Sequence, residues 1–140
     1  MTKRIVVLGL GRIGGAIAQL LNGDIRYKVI GADISAQAVQ SYATQFQTIQ
    51  IKNNNFLSLL KGQDAVLSAL GFNENPQVAQ AALDNGCSYF DLTEDVKCTE
   101  TIKKIAKQAI KGQVFMPQCG LAPGFIGILA YSFQKYFDRL

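Results

Sequence analysis

Three glycines, Gly9, Gly11 and Gly14, stand as G-x-G-x-x-G inside VVLGLGRIGGAIAQLL, residues 6–21. A β-branched run precedes them and a helical pattern follows, the context in which such a turn can hold a phosphate. Gly9 would permit the sharp bend, Gly11 would let a pyrophosphate approach the backbone, and Gly14 would let the helix pack close to the strand. The free amides of the first helical turn, around Arg12 and Ile13, would then face the anion, and the helix dipole would add about 0.3–1 kcal/mol. Asp33 lies 19 residues beyond Gly14, where a carboxylate accepts hydrogen bonds from the adenosine ribose. Each charge-assisted bond of that kind contributes about 1.5–3 kcal/mol. Ile34, beside it, joins the same set of cofactor-binding candidates. A 2′-phosphate would meet negative charge at Asp33, so the sequence leans toward NAD, while the Arg12 guanidinium keeps NADP open. The plain alternative is a turn in an unliganded α/β domain, with Asp33 capping a helix.

These residues need a scaffold, and the rest of the chain supplies its pattern. Strands are expected over residues 3–8, 27–32 (ending at Asp33), 48–51, 64–70, 88–92 and 113–116. Helices are expected over 13–21, 36–46, 76–84, 96–110 and 125–137, with a brief helix or turn at 56–60. Ile13, Ile17, Leu20 and Leu21 would form the apolar stripe of the first helix. Ser35 suits an N-cap, Pro76 suits a helix start, and Asn85-Gly86 suits a C-cap. Strands alternating with helices predict an α/β Rossmann fold, a doubly wound parallel six-stranded sheet of order 3-2-1-4-5-6 with helices on both faces. Residues 1–124 would form that domain and 125–140 would begin a helix leading out of it. The end of the fourth strand, Ser68-Ala69-Leu70-Gly71-Phe72, would lie across the crevice from the glycine turn, its small residues letting the backbone run beside the ribose and nicotinamide, with Ala69, Leu70 and Gly71 the cofactor-binding candidates; a plain strand-to-loop exit is the alternative.

The chain has 140 residues, 49% hydrophobic, enough for one ordinary domain with a real core. Its net charge of +4 is small, and Lys103, Lys107 and Lys111 read as a solvated helical face. No aromatic residues interleave with them, so nucleic-acid binding is not expected. Three cysteines without C-x-x-C spacing, and no histidine, argue against a metal site and for reduced thiols in a cytoplasmic protein. Cys119 is expected to be an inert thiol beside the cleft. No signal peptide is expected, and no membrane span, because the most apolar stretch, 125–133, is interrupted by Gly127 and falls far short of about 20 residues.

At CSYFDLTED (87–95) and QCGLAPGF (118–125) the sequence resembles the nucleotide-binding half of saccharopine dehydrogenase-like enzymes: saccharopine reductases, lysine 6-dehydrogenases and carboxynorspermidine-type dehydrogenases. The resemblance runs through nearly the whole chain and includes DAVLSALGF at strand four. It implies a pyridine-nucleotide oxidoreductase acting at the carbon–nitrogen bond of an amino acid or polyamine. It also implies a second, substrate-binding domain that these residues do not contain, so that this chain alone would be inactive. On this resemblance Asp91 and Thr93 belong to the loop beside the nicotinamide, and Gly120, Pro123 and Gly124 to the crossover turn. Asp91 would orient an amine or hold a water, and is the one catalytic candidate. The residues by themselves allow a plainer role, an N-cap, which Thr93 or Asp95 could also fill. The broad apolar face of 121–137 would meet the second domain, or form a homodimer.

Two other functions compete. The cytoplasmic gating domains of potassium transport systems are of similar length, open on a glycine turn and end strand two with an acid. YFDLTED and GLAPGF do not resemble them. A short-chain reductase is disfavoured because Tyr131 and Lys135, although four apart, fall in the terminal helix with Ser132 adjacent.

Overall fold

The computed structural model describes residues 1–52 and 55–137. Six strands, β1 (Lys3–Leu8), β2 (Tyr27–Asp33), β3 (Gln47–Gln50), β4 (Ala65–Ser68), β5 (Ser88–Asp91) and β6 (Phe115–Met116), form one sheet in the order β3-β2-β1-β4-β5-β6. Every pairing is parallel, and the expected Rossmann topology is the one observed. Leu8 stands level with Ala32 of β2 on one side and Ser68 of β4 on the other. The carboxyl ends of the three central strands therefore align where the strand order reverses, the point at which such sheets bind ligands.

Strand alternation sorts β1 into two cores. Val6 and Leu8 join Val66, Val78, Tyr89 and Ile102 beneath α3 (Asn75–Asp84) and α4 (Val96–Ala106). Ile5 and Val7 join Leu10, Ala18, Val29 and Phe46 beneath α1 (Arg12–Asn22) and α2 (Ala36–Tyr42). A 3-10 segment, Asn55–Leu60, closes the first core with Phe56 and Leu60. The last helix, α5 (Phe125–Phe133), has no buried residue and is followed by a short 3-10 turn.

Only part of the stripe expected for α1 is its contact face: Leu21 packs against the second core and Ile17 is half-buried. Gly14, Gly15 and Ala18 are buried, whereas Ile13 and Leu20 are exposed. A Cβ on Gly14 would collide with the Gly9 carbonyl oxygen, so only small residues let the helix sit this close to β1. Other elements are shorter than expected. The α2 helix stops at Tyr42, and turns carry the chain to Phe46, which folds back to stack on Tyr42 with ring centroids 5.5 Å apart. The α4 helix stops at Ala106, and β4 and β6 keep only their paired residues. The caps follow the sequence. Ser35 accepts the Ala38 amide. Gly86 adopts φ +67° while the Cys87 and Gly86 amides bond back to Ala82 and Leu83, a Schellman ending for α3.

Candidate cofactor site

Gly9 follows β1 at φ +89°, and a Cβ there would lie 2.9 Å from the Ala69 carbonyl oxygen, so the bend admits glycine on two counts. Its amide bonds to Ala32 at 2.8 Å, and the Ala69 amide bonds to Leu8 at 2.8 Å. The turn is thus tied to the ends of both neighbouring strands. Gly11 is the N-cap of α1 in extended conformation, and no side chain caps the helix. A Cβ on Gly11 would meet nothing within 4 Å. Open space therefore lies over the uncapped start of α1, where the first-turn amides have no intrahelical acceptor. Arg12 and Ile13 are exposed at the same place.

Asp33 ends β2 with both oxygens engaged: Oδ2 accepts the Leu10 amide at 2.6 Å and Oδ1 the Ser35 amide at 2.7 Å. Each oxygen keeps a further lone pair for an incoming hydroxyl. Ile34, next along, is exposed, and its carbonyl accepts from Gln50. Across the crevice Ala69 and Leu70 are half-buried and Gly71 is exposed. Phe72, the last residue of the segment expected across the crevice, is also exposed on this edge. Behind them the Ser68 hydroxyl donates to Asn75 Oδ1 at 2.7 Å, both residues buried, which anchors the loop after β4 to the start of α3. Neither partner carries a sequence signal beyond its polarity.

The end of β5 holds the second group. Asp91 is fully buried. Its Oδ2 accepts the Tyr89 hydroxyl at 2.7 Å, and its Oδ1 accepts the amides of Thr93 at 2.9 Å and Gln118 at 3.0 Å. The Asp91 carbonyl takes the Cys119 amide at 2.8 Å. The side chain thereby pins the segment after β6, where Gln118 adopts φ +65°. The N-cap of α4 is Asp95, which accepts the Cys98 amide at 2.7 Å. Thr93 is buried and accepts the Asp95 amide. Burial pushes the Tyr89 hydroxyl far up, and its bond to Asp91 adds to the shift. Burial, with the Asp91 charge, also raises the Cys119 thiol, so the microenvironment opposes a reactive thiolate. The structure brings Gly9, Gly11, Arg12, Ile13, Gly14, Asp33 and Ile34 together, places Ala69–Gly71 opposite, and sets Asp91 and Thr93 beneath the surface farther along the carboxyl edge.

A glycine turn at an uncapped helix start, with a carboxylate level with it on the next strand, defines a dinucleotide-binding domain of the Rossmann type. The chain belongs to the family described as "Saccharopine dehydrogenase NADP binding domain", whose model matches residues 5–116. It is 25% identical over 134 residues to the mitochondrial alpha-aminoadipic semialdehyde synthase of Rattus norvegicus, covering 91% of this chain and 14% of that protein. In fold it matches apo saccharopine dehydrogenase (L-Glu forming) from Saccharomyces cerevisiae, with a TM-score of 0.79 and 18% identity over 96% of this chain and 31% of that one. Scyllo-inositol dehydrogenase from Lactobacillus casei with bound NAD(H) and scyllo-inositol gives a TM-score of 0.75 at 18% identity, over 97% of this chain and 40% of that one. The chain thus spans a small part of its relatives. Among the described residues no helix is long and apolar enough to cross a membrane.

Proposed function

We propose that this chain is the cofactor half of an oxidoreductase that acts on the carbon–nitrogen bond of an amino acid or polyamine and prefers NAD to NADP. The observation that carries the cofactor reading is the open space over Gly11 at the uncapped start of α1, beside an Asp33 carboxylate bonded to the Leu10 amide. The first-turn amides after Gly11 bind the pyrophosphate. Asp33 receives the ribose hydroxyls on its remaining lone pairs and repels a 2′-phosphate. Ile34 and Phe72, exposed after β2 and β4, flank the adenine, and the backbone of Ala69–Gly71 runs beside the nicotinamide ribose. Asp91 acts as a positioning residue: it holds Gln118 and Cys119 in place. The bound nicotinamide supplies hydride exchange with the amine-bearing carbon. The family, the rat relative and the yeast fold match support the amine assignment. The amine substrate, and the groups that move its proton, reside on a further domain.

Calorimetry with NAD, NADP, AMP and ATP tests this. Dinucleotide binding well above that of AMP, with NAD ahead of NADP, is the expected result. Tight AMP or ATP binding with no gain from the nicotinamide half would instead indicate a nucleotide-sensing module and overturn the proposal.

A further inference from the structure

Gln118 holds a backbone conformation that residues other than glycine rarely adopt, with φ +65°. Two bonds to β5 keep it there. Its amide donates to Asp91 Oδ1 at 3.0 Å, and the next amide, of Cys119, donates to the Asp91 carbonyl at 2.8 Å. A Cβ on Gly120 would lie 3.1 Å from the Leu92 carbonyl oxygen, so residues 118–120 run closely over the end of β5. The Gln118 side chain takes no part in these ties. It is half-buried, yet among the described residues its amide has no hydrogen-bond partner, and its polar atoms remain open to solvent. Backbone strain of this kind persists where the surroundings over-determine it, and it gathers at ligand sites.

We propose that the Gln118 side chain binds the carboxamide of the nicotinamide ring, an inference that rests on the cofactor reading above. Leu8, Ser68 and Asp91 stand level on β1, β4 and β5. Gln118 is therefore tied to the carboxyl edge two strand spacings, about 10 Å, from the residue that precedes the glycine turn. A pyrophosphate over Gly11, with its nicotinamide riboside extended past Ala69–Gly71, brings the ring to the end of β5. The chemistry matches there. A glutamine side chain offers an N–H donor and a carbonyl acceptor on one planar group. The nicotinamide carboxamide offers the same pair, so two hydrogen bonds can join them. A carboxylate would lack the donor, and an ammonium or guanidinium group the acceptor. The pairing fixes the carboxamide, and through it the orientation of the ring. Because residue 118 is bonded to β5 and not carried on the exposed α5, the sheet that holds the glycine turn also sets the position of this amide. Asp91 acts through it.

Calorimetry on the full chain with NAD, ADP-ribose and 3-acetylpyridine adenine dinucleotide tests the proposal. ADP-ribose lacks the nicotinamide, and the acetyl analogue carries a methyl group in place of the carboxamide nitrogen. The parent chain should bind NAD about five- to tenfold more tightly than the analogue, as expected for one or two neutral hydrogen bonds. Gln118→Leu, which keeps the backbone amide on Asp91, should lower NAD affinity about five- to tenfold. It should also erase the difference between NAD and the analogue, and leave ADP-ribose affinity unchanged. Gln118→Met, closer in shape to the parent residue, should do the same. An equal loss for NAD and ADP-ribose would mean that Gln118 only shapes its loop. Unchanged NAD affinity, a parent that does not distinguish the analogue, or a distinction that survives in both variants would mean that the carboxamide is held elsewhere. Each of these results overturns the proposal and leaves the cofactor reading standing. A parent chain that binds neither ADP-ribose nor NAD overturns both.

Discussion

The Asp33 carboxylate accepts the Leu10 backbone amide at 2.6 Å, across 23 residues of sequence. The acid assigned to the ribose is therefore also a structural tie that holds the second residue of the glycine turn against the end of β2. Ligand binding and turn geometry share one side chain, and a substitution there should disturb both.

Asp33→Ala should weaken NAD binding about ten- to hundredfold, as expected for losing one or two hydrogen bonds to a charged group. NADP should lose less, because a repulsion disappears together with the bonds. Stability should fall by about 1–3 kcal/mol, since the Leu10 and Ser35 amides lose their acceptor. Calorimetry and urea unfolding on one preparation separate the effects. An unchanged NAD to NADP ratio would remove the assignment of Asp33 as the discriminating group.

Gly11 and Gly14 should respond oppositely to the same added methyl. At Gly11 the new Cβ meets nothing within 4 Å and the backbone is extended, so Gly11→Ala should leave stability within about 1 kcal/mol of the parent. It should still lower NAD affinity tenfold or more by filling the space the pyrophosphate uses. Gly14→Ala should destabilise by about 1–3 kcal/mol through overpacking against the Gly9 carbonyl and Ala69. If Gly11→Ala binds NAD like the parent, the pyrophosphate does not lie there.

The sheet order and the glycine turn were readable because they depend on local signals. Short β-branched runs mark strands, and glycine spacing marks a turn whatever its surroundings. The face of α1 is only partly legible for a physical reason: of the stripe Ile13, Ile17, Leu20 and Leu21 only Leu21 packs on the second core, because Gly14, Gly15 and Ala18 are the residues small enough to approach β1. The Asp33–Leu10 bond, the Ser68–Asn75 pair and the burial of Asp91 depend on strand register and long-range packing, which no local pattern encodes. Gln113 makes the same point: its amide donates to Ala82 and Cys87, joining the end of α3 to the approach to β6.

Three donors converge on Asp91: the Tyr89 hydroxyl and the amides of Thr93 and Gln118. Asp91→Asn removes the charge that strengthens all three bonds, and should cost about 1–3 kcal/mol. Hydrogen exchange should quicken at the Thr93 and Gln118 amides more than in the α3 helix. Tyr89→Phe should reproduce a smaller part of the loss, about 1 kcal/mol, without exposing those amides. Unchanged protection at Gln118 in Asp91→Asn would show that Asp91 does not position the segment after β6.

Alkali should destabilise the domain through Cys87. Its side chain is fully buried, and burial, with a smaller contribution from the Asp64 charge, pushes its thiol from 9.0 to about 12. The unfolded chain releases this proton near the ordinary thiol value, while the folded chain retains it until about 12. Within that window the native state binds more protons than the unfolded state, so stability falls as pH rises, by at most about 1.4 kcal/mol per pH unit for one thiol. Below the window Cys87 contributes no pH dependence, and its full stabilising effect is present. Urea midpoints measured at neutral pH and midway through the window should therefore drop for the parent chain. Cys87→Ala, although less stable at neutral pH through its lost packing, should show a shallower drop. Tyr89 and Cys98, whose protons burial also holds more tightly, would account for the slope that remains. Equal slopes in the parent and in Cys87→Ala would mean that the Cys87 thiol ionises in the folded chain about as readily as in the unfolded one.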